Sequence, residues 1–216
     1  MLEKDNNSIW NKLFEKKVVI NKSSVFINNF LKDKKPGKLL DLGCGAGRNI
    51  RTAIENNMKV SAIDSSDIAL KILQKQLEND NVNIINADIK RLPFETKSFD
   101  YIIATRTLHH GVLEDITQYF KELERVLKCD GEIAINLLSD SDIRINTGEE
   151  IEKNTRINIQ NTFDPQIPHH FFSKTEILEY LANFNILDIY ERDSLLSSEE
   201  KYGSIIYWYI IAKKQC

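Results

Sequence analysis

A chain of 216 residues, 42% of them hydrophobic, is long enough to bury one good core and too short for two. Its formal charge of -3 gives no general attraction to a phosphate backbone, and Cys44, Cys129 and Cys216 have neither the number nor the spacing of a disulfide framework or a zinc site. The polar start, MLEKDNNS, and the shortness of the longest apolar run, Ile205 to Ala212, point away from a leader or a membrane span, so a cytoplasmic single domain over 1–216 is expected.

In chain order, apolar residues at Val19, Ile20, Val25, Phe26, Phe30 and Leu31 predict a helix over Val18 to Leu31, closed by Lys34, Lys35, Pro36 and Gly37. The stretch 1–36 then reads as an N-terminal helical cap. An alternating pattern follows: Lys38 to Leu42 as a buried strand, Arg48 to Asn57 as a helix, Lys59 to Ile63 as a strand, and Ser66 to Asn79 as a helix. Val82 to Asn86 and Asp100 to Thr105 continue as strands. Val112 to Lys128 is an amphipathic helix through Leu113, Ile116, Phe120, Leu123, Val126 and Leu127, and Glu132 to Leu138 is the next strand.

Alternation of this kind predicts a doubly wound α/β sandwich of three layers, a parallel sheet covered on both faces, with ligands at the carboxyl ends of its strands. After a polar segment from Ser139 to Pro168 come a helix over Ser173 to Asn183 and two strands, Ile186 to Glu191 and Ser204 to Lys213, expected as a closing antiparallel hairpin. The polar segment is too long for an ordinary connection, which marks 139–172 as an insertion or lid over the active site.

The run Asp41-Leu42-Gly43-Cys44-Gly45-Ala46-Gly47 leaves a strand and opens a helix, where glycines let backbone approach a ligand and helix N–H groups point outward. Arg48 stands where a dinucleotide fingerprint has its third glycine, which disfavours a nicotinamide oxidoreductase. Asp64, at the end of the second strand, is suited to accept from both hydroxyls of a ribose, and it also lies in a helix N-cap region. Asp88 and Ile89 follow the third strand, as acceptor and apolar flank for an adenine or as plain turn residues.

With LLDLGCGAGRN at Leu39 to Asn49, AIDSS at Ala62 to Ser66, ADIKRLPFETKSFDYI at Ala87 to Ile102 and RVLKCDGEIAI at Arg125 to Ile135, the chain resembles the class I S-adenosylmethionine-dependent methyltransferases, in particular the large family with a small-molecule-type methyltransferase domain. The resemblance implies a Rossmann-like fold with a seven-stranded, mostly parallel sheet whose last strand is antiparallel. It implies S-adenosylmethionine as cofactor, with Gly43, Gly45 and Gly47 at its methionine part, Asp64 at the ribose and Asp88 at the adenine. Asp41, Cys44, Ser65, Ile89 and Thr105 complete the expected set, and Trp10 resembles an early aromatic segment that folds over the cofactor.

Methyl transfer is an in-line displacement, so alignment and exclusion of water supply much of the rate and no base is strictly demanded. Arg106, His109 and His110 follow the fourth strand, and His169-His170 close the insertion. His110 and His170 are the candidate bases, and Arg106, His109 and His169 the candidate acceptor contacts. No metal is expected, because adjacent histidines point different ways and cannot easily share one ion. The tail HFFSKTEILEYLANFNILDIYERD resembles that of small-molecule and tellurite-resistance-type methyltransferases, favouring a small acceptor. The rivals are an RNA (tRNA) or protein methyltransferase and a noncatalytic cofactor-binding module; a monomer or a homodimer suits each.

Overall fold

A computed structural model describes residues 6–16, 23–77, 80–193 and 205–216. Its main sheet has seven strands in the order β3-β2-β1-β4-β5-β10-β9. The parallel strands are β1 (Lys38–Leu42), β2 (Lys59–Asp64), β3 (Asn83–Asn86), β4 (Phe99–Thr105) and β5 (Leu127–Leu138), and β10 (Ile206–Lys214) runs antiparallel between β5 and β9 (Phe184–Asp193). β1 is buried at Leu39, Leu40, Asp41 and Leu42, as a central strand covered on both faces must be. The strand order reverses beside β1, which directs the β1 loop and the end of β4 into one crevice.

On one face lie α2 (Val25–Leu31), α3 (Ile50–Glu55) and α4 (Asp67–Gln76), whose Ile27, Leu31, Ile50 and Leu73 pack on Leu39, Val60 and Ile103. On the other, α5 (Leu113–Val126) buries Ile116, Phe120, Leu123 and Val126 against Leu40, Ile102 and Ile133, joined by Ile177 of α6 (Lys174–Tyr180). The apolar stripe of α5 recurs at three- and four-residue steps, which is why this helix was predictable nearly to its ends. α2 is shorter than its apolar pattern predicts. Ser24 is extended (φ -71°, ψ 124°) and starts the helix at Val25; the predicted portion over 18–22 lies outside the described residues.

Helix entry is set by side chains. Ser66 Oγ accepts from the Ala69 N–H at 3.1 Å to cap α4, and Ser173 Oγ accepts from the Glu176 N–H at 3.2 Å to cap α6. Ser173→Ala orphans that donor and is expected to cost about 1 kcal/mol, a fall in Tm of roughly 2–4 °C read by thermal unfolding. An unchanged Tm would mean the cap contributes nothing.

The segment after β5 is not the featureless connection that its polarity suggests. It carries a 3-10 turn at Ile143–Asn146 and a small antiparallel sheet of β6 (Glu149–Glu152), β7 (Thr155–Ile157) and β8 (His169–His170). Glu152 Oε2 accepts from the Leu113 N–H at 2.7 Å. That carboxylate stands in for the side-chain cap that Val112 lacks, and it fastens the insertion to the positive end of α5. β8 continues into a bridge between His110 and His169, supported by Gly111 N–H to the Pro168 carbonyl at 3.0 Å.

Candidate active site

A cleft of about 1860 Å³ opens at the carboxyl ends of β1, β2, β3 and β4. Gly43, Gly45, Asp64, Ser65, Asp88, Ile89, Arg106 and His110 line it, with Trp10 and Phe14 from α1 (Asn6–Glu15) and Ile157, Asn158 and Pro168 from the insertion. The structure thus gathers cofactor candidates from four separate segments at one surface. The stretch 1–36 contributes through α1: Asn11 Oδ1 accepts from Ser66 Oγ at 2.7 Å, pinning the helix to the turn after β2.

Gly43 sits at φ +64°, and a Cβ there would collide with the Thr107 side chain; Gly47, at φ +86°, would meet Leu73. The two glycines answer different needs. Gly43 lies at the cleft, whereas Gly47 allows α4 to pack closely and does not line the cavity. Asp64 Oδ2 accepts from the Gly45 N–H and Oδ1 from the Ser66 N–H, both at 2.8 Å. Capping therefore falls to Ser66, and each Asp64 oxygen keeps a lone pair for a ligand. Burial raises the Asp64 carboxyl above its ordinary range, against the lowering effect of these N–H groups. Asp88 lies exposed at the rim, its Oδ1 accepting from the Lys90 N–H at 2.8 Å, so it is both a turn residue and a cleft residue.

Four expected contacts are not at the cleft surface. The Cys44 side chain is buried, and its thiol faces the Gly45 carbonyl at 3.5 Å. Thr105 is buried too, its Oγ1 accepting from Asn49 Nδ2 at 3.1 Å, so it braces the glycine loop rather than lining the cavity. Gly47 is the third. Asp41 is the fourth: it is 1% exposed, with Oδ2 lacking a partner among the described residues. Burial pushes its carboxyl up to about 7, with the Arg48 guanidinium pulling down and Asp64 pushing up.

The histidines divide. His170 is buried away from the cleft, with Nδ1 2.8 Å from Thr155 Oγ1 and Nε2 2.9 Å from Glu176 Oε1. It is a packing and hydrogen-bonding residue, and the expectation of a base there is corrected. Successive strand residues point oppositely, so facing His169 inward turns His170 outward. His109, His110, His169, Arg106 and Arg144 surround a recess of about 70 Å³ behind the cleft. His109 is held well below its ordinary range by burial and the neighbouring histidines, and its Nδ1 is buried without a partner among the described residues. The Arg106 guanidinium lies 5.7 Å from the Tyr207 ring centroid.

Asp164, which the sequence reading missed, lies between His110 and His169. Its Oδ2 is 3.2 Å from His110 Nε2 and its Oδ1 3.1 Å from His169 Nε2; Thr162 Oγ1 also donates to Oδ1. Burial alone would raise the Asp164 carboxyl, yet the facing His169 and His110 imidazoles hold it well below the ordinary range. The Trp10 ring meets the His110 ring edge-on at 5.0 Å.

Comparison with known proteins agrees with this geometry. Residues 40–135 match a family model described as a methyltransferase domain. The chain is 27% identical over 139 residues to a malonyl-[acyl-carrier protein] O-methyltransferase of Methylovorus sp. (strain MP688), covering 60% of this chain and 46% of the relative. It spans less than half the length of the curated relatives it matches. A SAM-dependent methyltransferase of Methanosarcina mazei superposes with a TM-score of 0.75 at 19% identity, over 90% of this chain and 99% of that one. The 1,6-didemethyltoxoflavin-N1-methyltransferase of Burkholderia thailandensis, solved with 1,6-didemethyltoxoflavin and S-adenosylhomocysteine bound, superposes at 0.71 and 18% identity, over 98% and 88%. At these identities the superpositions show the fold, which is that of the class I methyltransferases. Among the described residues no helix is long and apolar enough to cross a membrane.

Proposed function

We propose that this chain, a class I S-adenosylmethionine-dependent methyltransferase by its fold and its 40–135 domain, moves the cofactor's methyl group to a small-molecule acceptor held in the cleft. One observation carries the reading: the β1 glycine loop, Asp64 at the end of β2 and Asp88 with Ile89 after β3 all face the same cavity. When bound, S-adenosylmethionine supplies an electrophilic methyl carbon on a cationic sulfur.

The residues present fit that group. Gly43 and Gly45 leave the loop without side chains where the cavity begins, and the free lone pairs of Asp64 suit a ribose diol. Ile89 offers an apolar wall, and Asp88, at the rim, an acceptor for an exocyclic amine. Trp10 and Phe14 on one side, and Ile157 and Pro168 on the other, narrow the access of water. The rate then comes from positioning and exclusion of water, with α1 and the 139–172 segment as cap and lid.

No histidine base is assigned. His110 Nε2 is directed at Asp164 Oδ2, 3.2 Å away. The partners of the protein are then a small acceptor held beneath the insertion, near Arg106, His109 and His169. The Burkholderia enzyme, solved with 1,6-didemethyltoxoflavin and S-adenosylhomocysteine bound, supports that acceptor class. The three free thiols suit a cytoplasmic setting.

Titration with S-adenosylhomocysteine is expected to show one saturable site per chain. Incubation with methyl-labelled cofactor and fractionated cell extracts should put label in the low-mass metabolite fraction. Label confined to tRNA would overturn the acceptor class, and absence of any binding would overturn the methyltransferase reading in favour of a noncatalytic role.

A further inference from the structure

Two histidines that are far apart in sequence, one from each adjacent pair, converge with Asp164 behind the cleft. The donor atoms of His110, Asp164 and His169 all lie within 4.8 Å of one another. Their side chains are 11%, 2% and 4% exposed. Such a cluster is either a hydrogen-bonded brace or a cation site, and the placement of hydrogen atoms separates the two.

His169 Nδ1 is 2.7 Å from the Ile167 carbonyl oxygen, which only accepts, so Nδ1 carries a proton. A neutral His169 therefore turns an Nε2 lone pair toward Asp164 Oδ1, an oxygen that Thr162 already serves. On His110, Nε2 faces Asp164 Oδ2 at 3.2 Å. Two imidazole nitrogens and a carboxylate thus meet at one point. His169 has its far nitrogen tied to the main chain, as the ring of a metal-bound histidine usually does.

We propose that His110, Asp164 and His169 form a binding site for one divalent transition-metal ion. The spacing supports this. An ion with bonds of about 2.0–2.2 Å sets tetrahedral donors about 3.3–3.5 Å apart. Two of the observed separations, 3.1 and 3.2 Å, lie near that value, and the three donors as a set lie within 4.8 Å, so the two imidazoles close on the ion by a side-chain adjustment. Two imidazoles and one carboxylate suit zinc, iron or cobalt over the hard ions magnesium and calcium, and three protein ligands leave a position open. His110 lines both the cleft and the recess that Arg106 and Arg144 also line, so the open position serves an oxygen anion of the acceptor. This last role rests on the methyl-transfer reading; the binding of the ion does not. The expectation of no metal considered ligands within each adjacent pair, whereas the structure takes one histidine from each.

The test uses the full chain carrying Cys129→Ser and Cys216→Ser, which removes the two thiols that are not buried. After chelator treatment it is titrated with zinc against a chromophoric competitor and with cobalt under absorption spectroscopy. One equivalent is expected, with visible cobalt bands of a nitrogen–oxygen site. His169→Gln and Asp164→Asn should each weaken zinc binding at least about 100-fold, and His110→Gln, at the most exposed of the three positions, gives a readout should the buried variants fail to fold. No stoichiometric binding, or equal binding by His110→Gln, overturns the proposal. S-adenosylhomocysteine titration of the same preparation distinguishes the failures: cofactor binding without zinc binding sinks only the metal site.

Discussion

Replacing Asp64 by alanine is expected to weaken S-adenosylhomocysteine binding by about 100-fold or more, the equivalent of ~3 kcal/mol. The carboxylate holds the Gly45 and Ser66 N–H groups, each at 2.8 Å, and keeps lone pairs toward the cleft. Alanine removes the acceptors proposed for the ribose and frees the glycine loop from the end of β2. Charge-assisted hydrogen bonds contribute roughly 1.5–3 kcal/mol each, so losing two accounts for the effect without any change elsewhere. Calorimetric titration measures it, with circular dichroism as a control for the sheet. Affinity within threefold of wild type would remove Asp64 from the site.

Asp64 was legible in the sequence because a strand that ends on a carboxylate before a capped helix has few places to put that side chain. The alternating elements were legible for a related reason. Buried parallel strands such as β1 and amphipathic helices such as α5 carry their environment in their own residues. The insertion does not. Its strands are two to four residues long, too short for a two-residue period to register, and they form by pairing with one another and with the segment after β4.

Asp164 was invisible for the same cause. Thr162-Phe163-Asp164-Pro165 reads as a polar turn, and only the His110–His169 bridge brings it between two imidazoles. The choice between His169 and His170 was likewise a matter of register, which adjacent identical residues cannot reveal. Cys44, Thr105 and Gly47 belong to the motif that marks the cofactor loop or its supporting strand, but their work is to hold that loop in shape. A motif records both the residues that touch a ligand and those that hold them in place, and only burial separates the two.

Asp41 belongs to the second group and has the larger thermodynamic consequence. The residue is 1% exposed, with one oxygen unpartnered among the described residues, and burial pushes its carboxyl up to about 7 in the fold against 3.8 for the free side chain. A folded pKa above the unfolded one means that the native state binds more protons between those values. Stability from this group is therefore fully present below about pH 4 and is lost as pH rises through 7. The difference amounts to about 4 kcal/mol, the free-energy equivalent of a shift of roughly three units. Asp41→Asn keeps the shape and removes the titration. The stability of this variant relative to wild type, both without ligand, should therefore grow by about 4 kcal/mol between pH 4 and pH 8. Urea unfolding at pH 4, 6 and 8 measures the difference, and groups common to both proteins cancel in it. Parallel stability curves would mean that Asp41 is already compensated in the fold. A widening gap would show that the fold keeps the Asp41 carboxyl protonated up to about pH 7 and that ionising it beneath the glycine loop costs stability.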